Sequence, residues 1–160
     1  MEYKAGDKIV YPLYGAGVIA EITEREFLGQ MKSYYRLKLA YGRMEILVPV
    51  ENALSLGVRN LIPREMINEV LDTLKLFGAE EKQNWNKRYH DNMDKLRSGD
   101  ILQAADVYKI LFRRNRKKLL SSGEMKLMNS AKQILFSELM LAGDWTAEET
   151  DGIVSETIGK

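Results

Sequence analysis

Apolar positions change their spacing near residue 55. Before it they recur every second residue. Val18, Ala20 and Ile22 alternate with Ile19 and Glu21, and Tyr35, Leu37 and Leu39 alternate with Arg36 and Lys38. That is the period of a half-buried strand. Ile9-Val10-Tyr11-Pro12 follows a Gly6-Asp7 turn, and Met44-Glu45-Ile46-Leu47-Val48 stops at Pro49. Proline cannot donate to a ladder, so it suits an edge or a strand end. Gly15, Gly17, Gly29 and Gly42 punctuate these runs at turn positions, and Gly15-Ala16-Gly17 reads as a turn. Four or five short strands in so few residues predict a small, strongly bent antiparallel barrel.

After residue 55 the spacing becomes helical. Pro63 suits the first position of a helix carrying Met66, Ile67, Val70, Leu71, Leu74 and Phe77, ended by Gly78. A second helix is predicted from Trp85 to Leu96, stopped by Ser98-Gly99. Asp100 caps a third, containing Ile101, Leu102, Ala105, Val107, Tyr108, Leu111 and Phe112. Ser121 with Glu124, and Thr146 with Glu149, fit capping boxes for a fourth helix to about Leu141 and a short fifth. Trp145 precedes the last cap and fits a staple onto its own helix. The fold class is therefore α+β, a β module over 1–55, a linker over 56–62 and a bundle of about five helices over 63–160.

Composition excludes more than it selects. The 160 residues are 45% hydrophobic and 29% charged, with no cysteine, which rules out disulfides and thiolate metal sites. The N-terminus lacks a signal peptide's apolar core, and no run approaches the roughly 20 apolar residues of a membrane span. A cytoplasmic protein is expected. There is no phosphate-loop motif, and no cofactor, metal site or catalytic residue is expected. His90 is the one histidine, and its charged surroundings favour a solvated surface residue over a general base.

Charge is segregated although the total is only +1. From Lys82 to Lys132 there are 13 Lys/Arg against 5 Asp/Glu, a net of +8; from Gln133 onward there is 1 against 6, a net of −5. A basic block holding a large aromatic ring is the pattern of a nucleic-acid surface with a stacking or wedging group. Trp85 is the candidate ring. Trp85, Tyr89, Met93 and Leu96 also form one helical stripe, and on that pattern alone Trp85 is better read as its first core residue. Its polar neighbours and its place at the helix start argue for protrusion instead. Arg113, Arg114, Arg116, Lys117 and Lys118 cluster at a helix end, where cations complement the dipole. Five in six positions exceed that need. With Lys87 and Arg88 they could hold phosphates on either side of an inserted ring, and Lys126 could widen the face.

Several segments in order carry a resemblance. They are Gly6-Asp7-Lys8-Ile9-Val10-Tyr11-Pro12-Leu13-Tyr14-Gly15, Val48-Pro49-Val50-Glu51-Asn52-Ala53, Gly57-Val58-Arg59, Asn84-Trp85-Asn86-Lys87-Arg88-Tyr89, Lys95-Leu96-Arg97-Ser98-Gly99-Asp100 and Leu120-Ser121-Ser122-Gly123-Glu124. The chain resembles, over essentially its full length, the CarD/CdnL family of bacterial transcription regulators. The resemblance implies a Tudor-like N-terminal barrel that binds the RNA polymerase β subunit, partly by strand pairing, a module also similar to one in the transcription-repair coupling factor. Met44, Glu45, Ile46, Leu47, Val48 and Pro49 match the pairing edge, and Arg25 matches a contact position. Leu47 stands where some members carry a basic residue, which implies a more apolar contact. The resemblance further implies a helical domain on promoter DNA at the upstream edge of the transcription bubble. Trp85 matches a minor-groove wedge that is largely independent of sequence, beside Lys87 and Arg88. His90 and Met125 stand where lysine is frequent, which shifts the expected phosphate grip toward Arg113, Arg114, Arg116, Lys117, Lys118 and Lys126. The expected function is a non-enzymatic regulator that stabilises the open promoter complex; the alternative is an adaptor whose helical domain docks a second protein.

Overall fold

A computed structural model describes residues 3–76 and 84–159. The N-terminal part is a five-stranded antiparallel sheet of β1 (Lys8–Tyr11), β2 (Gly15–Phe27), β3 (Gln30–Leu39), β4 (Glu45–Pro49) and β5 (Arg59–Asn60), in the order β4-β3-β2-β1-β5. It is an α+β chain, with a Tudor-like β module leading into helices. Ile9, Ile19, Tyr35, Leu37, Leu39 and Val48 fill the core of the module. On β3 the buried residues are the expected apolar set of the alternation. On β2 Ile19 is buried while Ala20 and Ile22 are exposed, so the set Val18, Ala20 and Ile22 is not the inward one. The sheet can bend because a bulge shifts the β2–β3 register between Ile19 and Glu21. Leu28 (φ 53°) and Gly29 (φ 79°) close the β2–β3 hairpin in the left-handed region, as a two-residue turn requires.

Two details differ from the sequence reading. Gly15-Ala16-Gly17 is the start of β2, not a turn; the chain reverses just before it, where Tyr14 N–H donates to Tyr11 C=O. Its glycines allow close approach instead. A Cβ on Gly15 would lie 2.5 Å from Ser137 Oγ, and one on Gly17 2.4 Å from the Lys38 carbonyl oxygen. The segment 56–62, expected as a linker, contributes β5, which pairs with β1 through Ile9–Asn60 and Val10–Arg59. Two residues are too few to show a period.

The helices are α1 (Ile67–Lys75), α2 (Trp85–Arg97), α3 (Ile101–Lys117), α4 (Ser122–Gly143) and α5 (Ala147–Ile158). Pro63 precedes a short 3₁₀ turn, Arg64–Met66, that leads into α1. The Phe77 and Gly78 expected at the end of α1 lie outside the described residues. Caps define the other starts. Asn84 accepts from Lys87 N–H at 2.8 Å, Asp100 from Leu102 N–H at 2.9 Å, and Thr146 with Glu149 forms a full capping box. Val70, Leu74, Leu96, Leu111, Leu135, Phe136 and Leu139 are among the buried residues of the bundle. Trp145 packs on Gly143 at the end of α4, where a Cβ would lie 2.7 Å from the indole.

Helix α4 also packs on the sheet, which fixes the two halves to each other. Ala16 N–H donates to Ser137 Oγ at 2.8 Å, and Gln133 Nε2 donates to Tyr41 C=O at 2.8 Å. Arg59 on β5 donates to both oxygens of Glu138 and also to Gly99 C=O. The residues at the α2–α3 turn and on α4 are thus referenced to the β module.

Candidate nucleic-acid interface

Trp85 is the first residue of α2, and 42% of its surface is exposed. The stripe expected along this helix is buried by degrees. Leu96 is fully buried, Met93 and Tyr89 are half-buried, and Trp85 emerges at the end. The indole stacks on Tyr89, with ring centroids 5.1 Å apart and planes 16° from parallel. Its Nε1–H donates to Ser121 Oγ at 3.2 Å, across to the N-cap of α4.

The second tie between α2 and α4 is charged. Arg88 Nε and Nη2 donate to the two carboxylate oxygens of Glu124, at 2.9 and 3.2 Å, and Glu124 is buried. This explains why the Ser121 capping box is only half formed. Ser121 accepts the Glu124 N–H as expected, but the Glu124 carboxylate turns to Arg88 rather than back to the cap. A fork-shaped guanidinium on a carboxylate is the stronger partner.

Around the ring lies an open cleft of about 430 Å³, lined by Trp85, Arg88, Arg114, Lys117, Lys118, Leu119, Leu120, Ser121 and Glu124. It brings together the start of α2, the end of α3 and the start of α4, three elements that carry the basic block. Lys117 and Lys118 are exposed on its rim, and Arg114 is half-buried in it. Lys87, His90 and Lys126 are exposed. The remaining arginines of the block serve inside the molecule. Arg113 donates to the Leu74 and Leu76 carbonyls at the end of α1 and to the Ile158 carbonyl at the end of α5. Arg116 donates to the Gly159 carbonyl and lies 4.8 Å over the Phe112 ring. These are uses of cations at helix C-termini, where carbonyls lack partners.

Sequence pattern alone does not mark four of the cleft residues, Leu119, Leu120, Ser121 and Glu124, as site residues. Ser121 and Glu124 read as a cap, and the two leucines as apolar positions before it. Leu119 is 80% exposed and lines the cleft. Its position next to the C-cap Lys118 of α3 is the one signal that could have marked it.

A second surface lies on the sheet. Strand β4 is an edge. Leu39 N–H donates to Met44 C=O, and Val50 N–H donates to Ser33 C=O, with the intervening pairs Leu37–Ile46 and Tyr35–Val48 in the same register. Backbone direction alternates along a strand. Met44, Ile46 and Val48 therefore turn their polar backbone toward β3. Glu45, Leu47 and Pro49 turn theirs to the open edge. Leu47 is exposed and faces Arg36, which is held by Glu21 and Glu45 at 3.3 and 2.9 Å. Arg25 is exposed on β2 opposite Lys32.

Both halves match known families. Residues 3–62 match the CarD-like/TRCF RID domain, and residues 69–155 match the CarD C-terminal domain. The chain belongs to the CarD family of transcription regulators. A protein of Bacillus subtilis (strain 168), named YdeB as a candidate transcription factor, is 31% identical over 137 residues, 86% of this chain and 90% of that one. The first match spans the whole sheet including β5, and the second spans α2 to α4, so the Trp85 cleft falls inside the CarD C-terminal domain. The CarD family is a family of transcription factors. Among the described residues, no group of His, Asp or Glu could hold a metal, and no helix is long and apolar enough to cross a membrane.

Proposed function

We propose that this CarD-family chain docks on the β subunit of RNA polymerase and sets Trp85 into the minor groove at the upstream edge of the opened promoter. The observation that carries the reading is the half-exposed Trp85 ring at the mouth of a cleft rimmed by Lys117 and Lys118. An apolar ring inserted at a base step offsets an unstacking cost of a few kcal/mol, and stacking on an aromatic contributes roughly 1–3 kcal/mol. Exposed cations beside it suit the flanking phosphates. Leu119, the other exposed apolar group at the cleft, suits the same groove floor.

The polymerase contact is assigned to β4. Its open edge offers the Glu45 and Leu47 backbone for strand addition, and Leu47 with Arg25 and Arg36 supplies side-chain contact. Docking through the sheet raises the effective concentration of DNA at Trp85, so weak intrinsic DNA affinity suffices. If only the melted promoter offers the step that Trp85 fills, binding shifts the closed–open equilibrium by the difference in affinity. No nucleotide hydrolysis is required.

Hydroxyl-radical footprinting of polymerase–promoter complexes tests this reading. Protection of the minor groove at the upstream edge of the bubble is expected with the wild-type protein and not with Trp85→Ala. An unchanged footprint in the two would point to the adaptor reading.

A further inference from the structure

We propose that the first turn of α4 is a positioning element for Trp85, with Ser121 and Gly123 holding the indole in the single pose it presents to DNA. The inference rests on the wedge reading above and goes beyond it, by assigning a job to residues that the sequence marks only as a helix start.

The contacts enclose the ring on two sides. Ser121 Oγ accepts the indole N–H at 3.2 Å while also accepting the Glu124 N–H, so one hydroxyl is both cap and anchor. At Gly123 a Cβ would lie 3.2 Å from Trp85 Cζ2, 3.7 Å from its Cη2 and 3.7 Å from Tyr89 Cε2. The α4 backbone therefore lies against the same edge of the ring that carries the N–H. Tyr89 covers one face. Arg88 and Glu124 lock the two helices together beside this contact. An alanine Cβ at 123 requires the ring to give by a few tenths of an ångström, and a branched side chain crowds it further.

Two consequences follow. The indole N–H is occupied inside the protein, so the edge that could donate to a base is not presented. Contact with DNA is then through the uncovered ring surface, which is apolar and cannot read donor and acceptor patterns. Sequence tolerance is thereby built in by Ser121. The ring is also held before binding, so little rotamer freedom is left to lose on DNA.

The test uses the full chain with polymerase and a promoter whose open complex it prolongs. Gly123→Ala, Gly123→Val, Ser121→Ala, Ser121→Thr and Trp85→Ala are compared. Alanine is a better helix former than glycine. A purely structural role for Gly123 therefore predicts that Gly123→Ala holds or raises the thermal midpoint and leaves the open-complex lifetime unchanged. Positioning predicts a retained fold with a shortened lifetime, and Gly123→Val losing most of the gain that the wild-type protein gives. The Trp85 indole N–H resonance, identified by its loss in Trp85→Ala, is expected to shift in Ser121→Ala and to return in Ser121→Thr. If Trp85→Ala shortens the lifetime while both Gly123 variants behave as wild type, the positioning claim is overturned and the wedge stands. If Trp85→Ala changes nothing, the wedge reading falls and the positioning claim falls with it.

Discussion

Arg59 donates to both oxygens of Glu138, each at 2.7 Å, and the Glu138 side chain is fully buried. Ile62 N–H adds a third bond to that carboxylate at 2.8 Å. The pair joins β5 to α4, so it ties the β module to the helix whose first turn borders the Trp85 cleft. Removing one partner of a buried pair costs about 3–5 kcal/mol, because the other charge is left uncompensated. Arg59 is partly exposed and can rehydrate; Glu138 cannot. Arg59→Ala is therefore expected to lower stability more than Glu138→Ala, as read by urea midpoints. The reverse order would show that the packing of Glu138 matters more than its charge.

A pH dependence is expected from α3. Burial pushes the Asp106 carboxyl up, but hydrogen bonds from Lys95 and Lys109 outweigh it and hold the group below its ordinary 3.8. Those bonds measure 2.8 and 3.1 Å, and the first of them ties α2 to α3. A carboxyl depressed in the fold contributes stability that is present above the unfolded value and is lost as pH falls through the folded one. Stability should therefore decline below about pH 4 through this group. Asp106→Asn should be less stable at neutral pH and show a shallower acid decline, as measured by thermal melts from about pH 3 to 7. An unchanged acid slope would show that other carboxyls set it.

Strand β4 offers a separation of edge from ladder. Leu47 turns its N–H away from β3, so Leu47→Pro removes a donor from the open edge without removing one from the β3–β4 ladder. Polymerase binding is expected to fall well below that of Leu47→Ala while the fold is kept. Val48→Pro should instead unfold the sheet, because its backbone serves β3. Equal binding by Leu47→Pro and Leu47→Ala would rule out strand addition at this edge.

The basic block should divide into two kinds of cation. Lys117 and Lys118 rim the cleft. If each neutralises one phosphate, its alanine variant should reduce the salt slope of DNA binding by about 0.9. Arg113 caps the carbonyl ends of α1 and α5. Arg113→Ala is expected to cost about 1.5–3 kcal/mol of stability, with the salt slope unchanged, because it removes hydrogen bonds made by a charged group. Salt titrations alongside denaturation distinguish the two. A slope change for Arg113 alone would invert the assignment.

The two-part architecture is legible in the sequence because spacing changes from two to helical at one point, and turn and cap residues agree with it. What spacing cannot show is which end of a stripe is covered. Trp85 and Leu96 belong to the same helical stripe, yet one is half-exposed and the other buried, because Trp85 lies at the end of the stripe, against the first turn of α4, while Leu96 lies in the bundle core. Glu124 reads as a capping partner because the box is local. Its actual partner, Arg88, is 36 residues away. Arg59 and Glu138 are 79 residues apart, and no local pattern connects them. The five cations at the end of α3 are visible as a block, but their division between helix ends and the cleft depends on where α1 and α5 finish.

The Trp85 ring itself should prolong the opened promoter. Stacking worth roughly 1–3 kcal/mol corresponds to about fivefold to 150-fold in lifetime. The direct measurement is the dissociation lifetime of polymerase–promoter open complexes at saturating wild-type protein and at saturating Trp85→Ala. The variant is expected still to bind polymerase while the lifetime falls by an amount in that range. Equal lifetimes, with the variant bound, would contradict a wedging role for the ring.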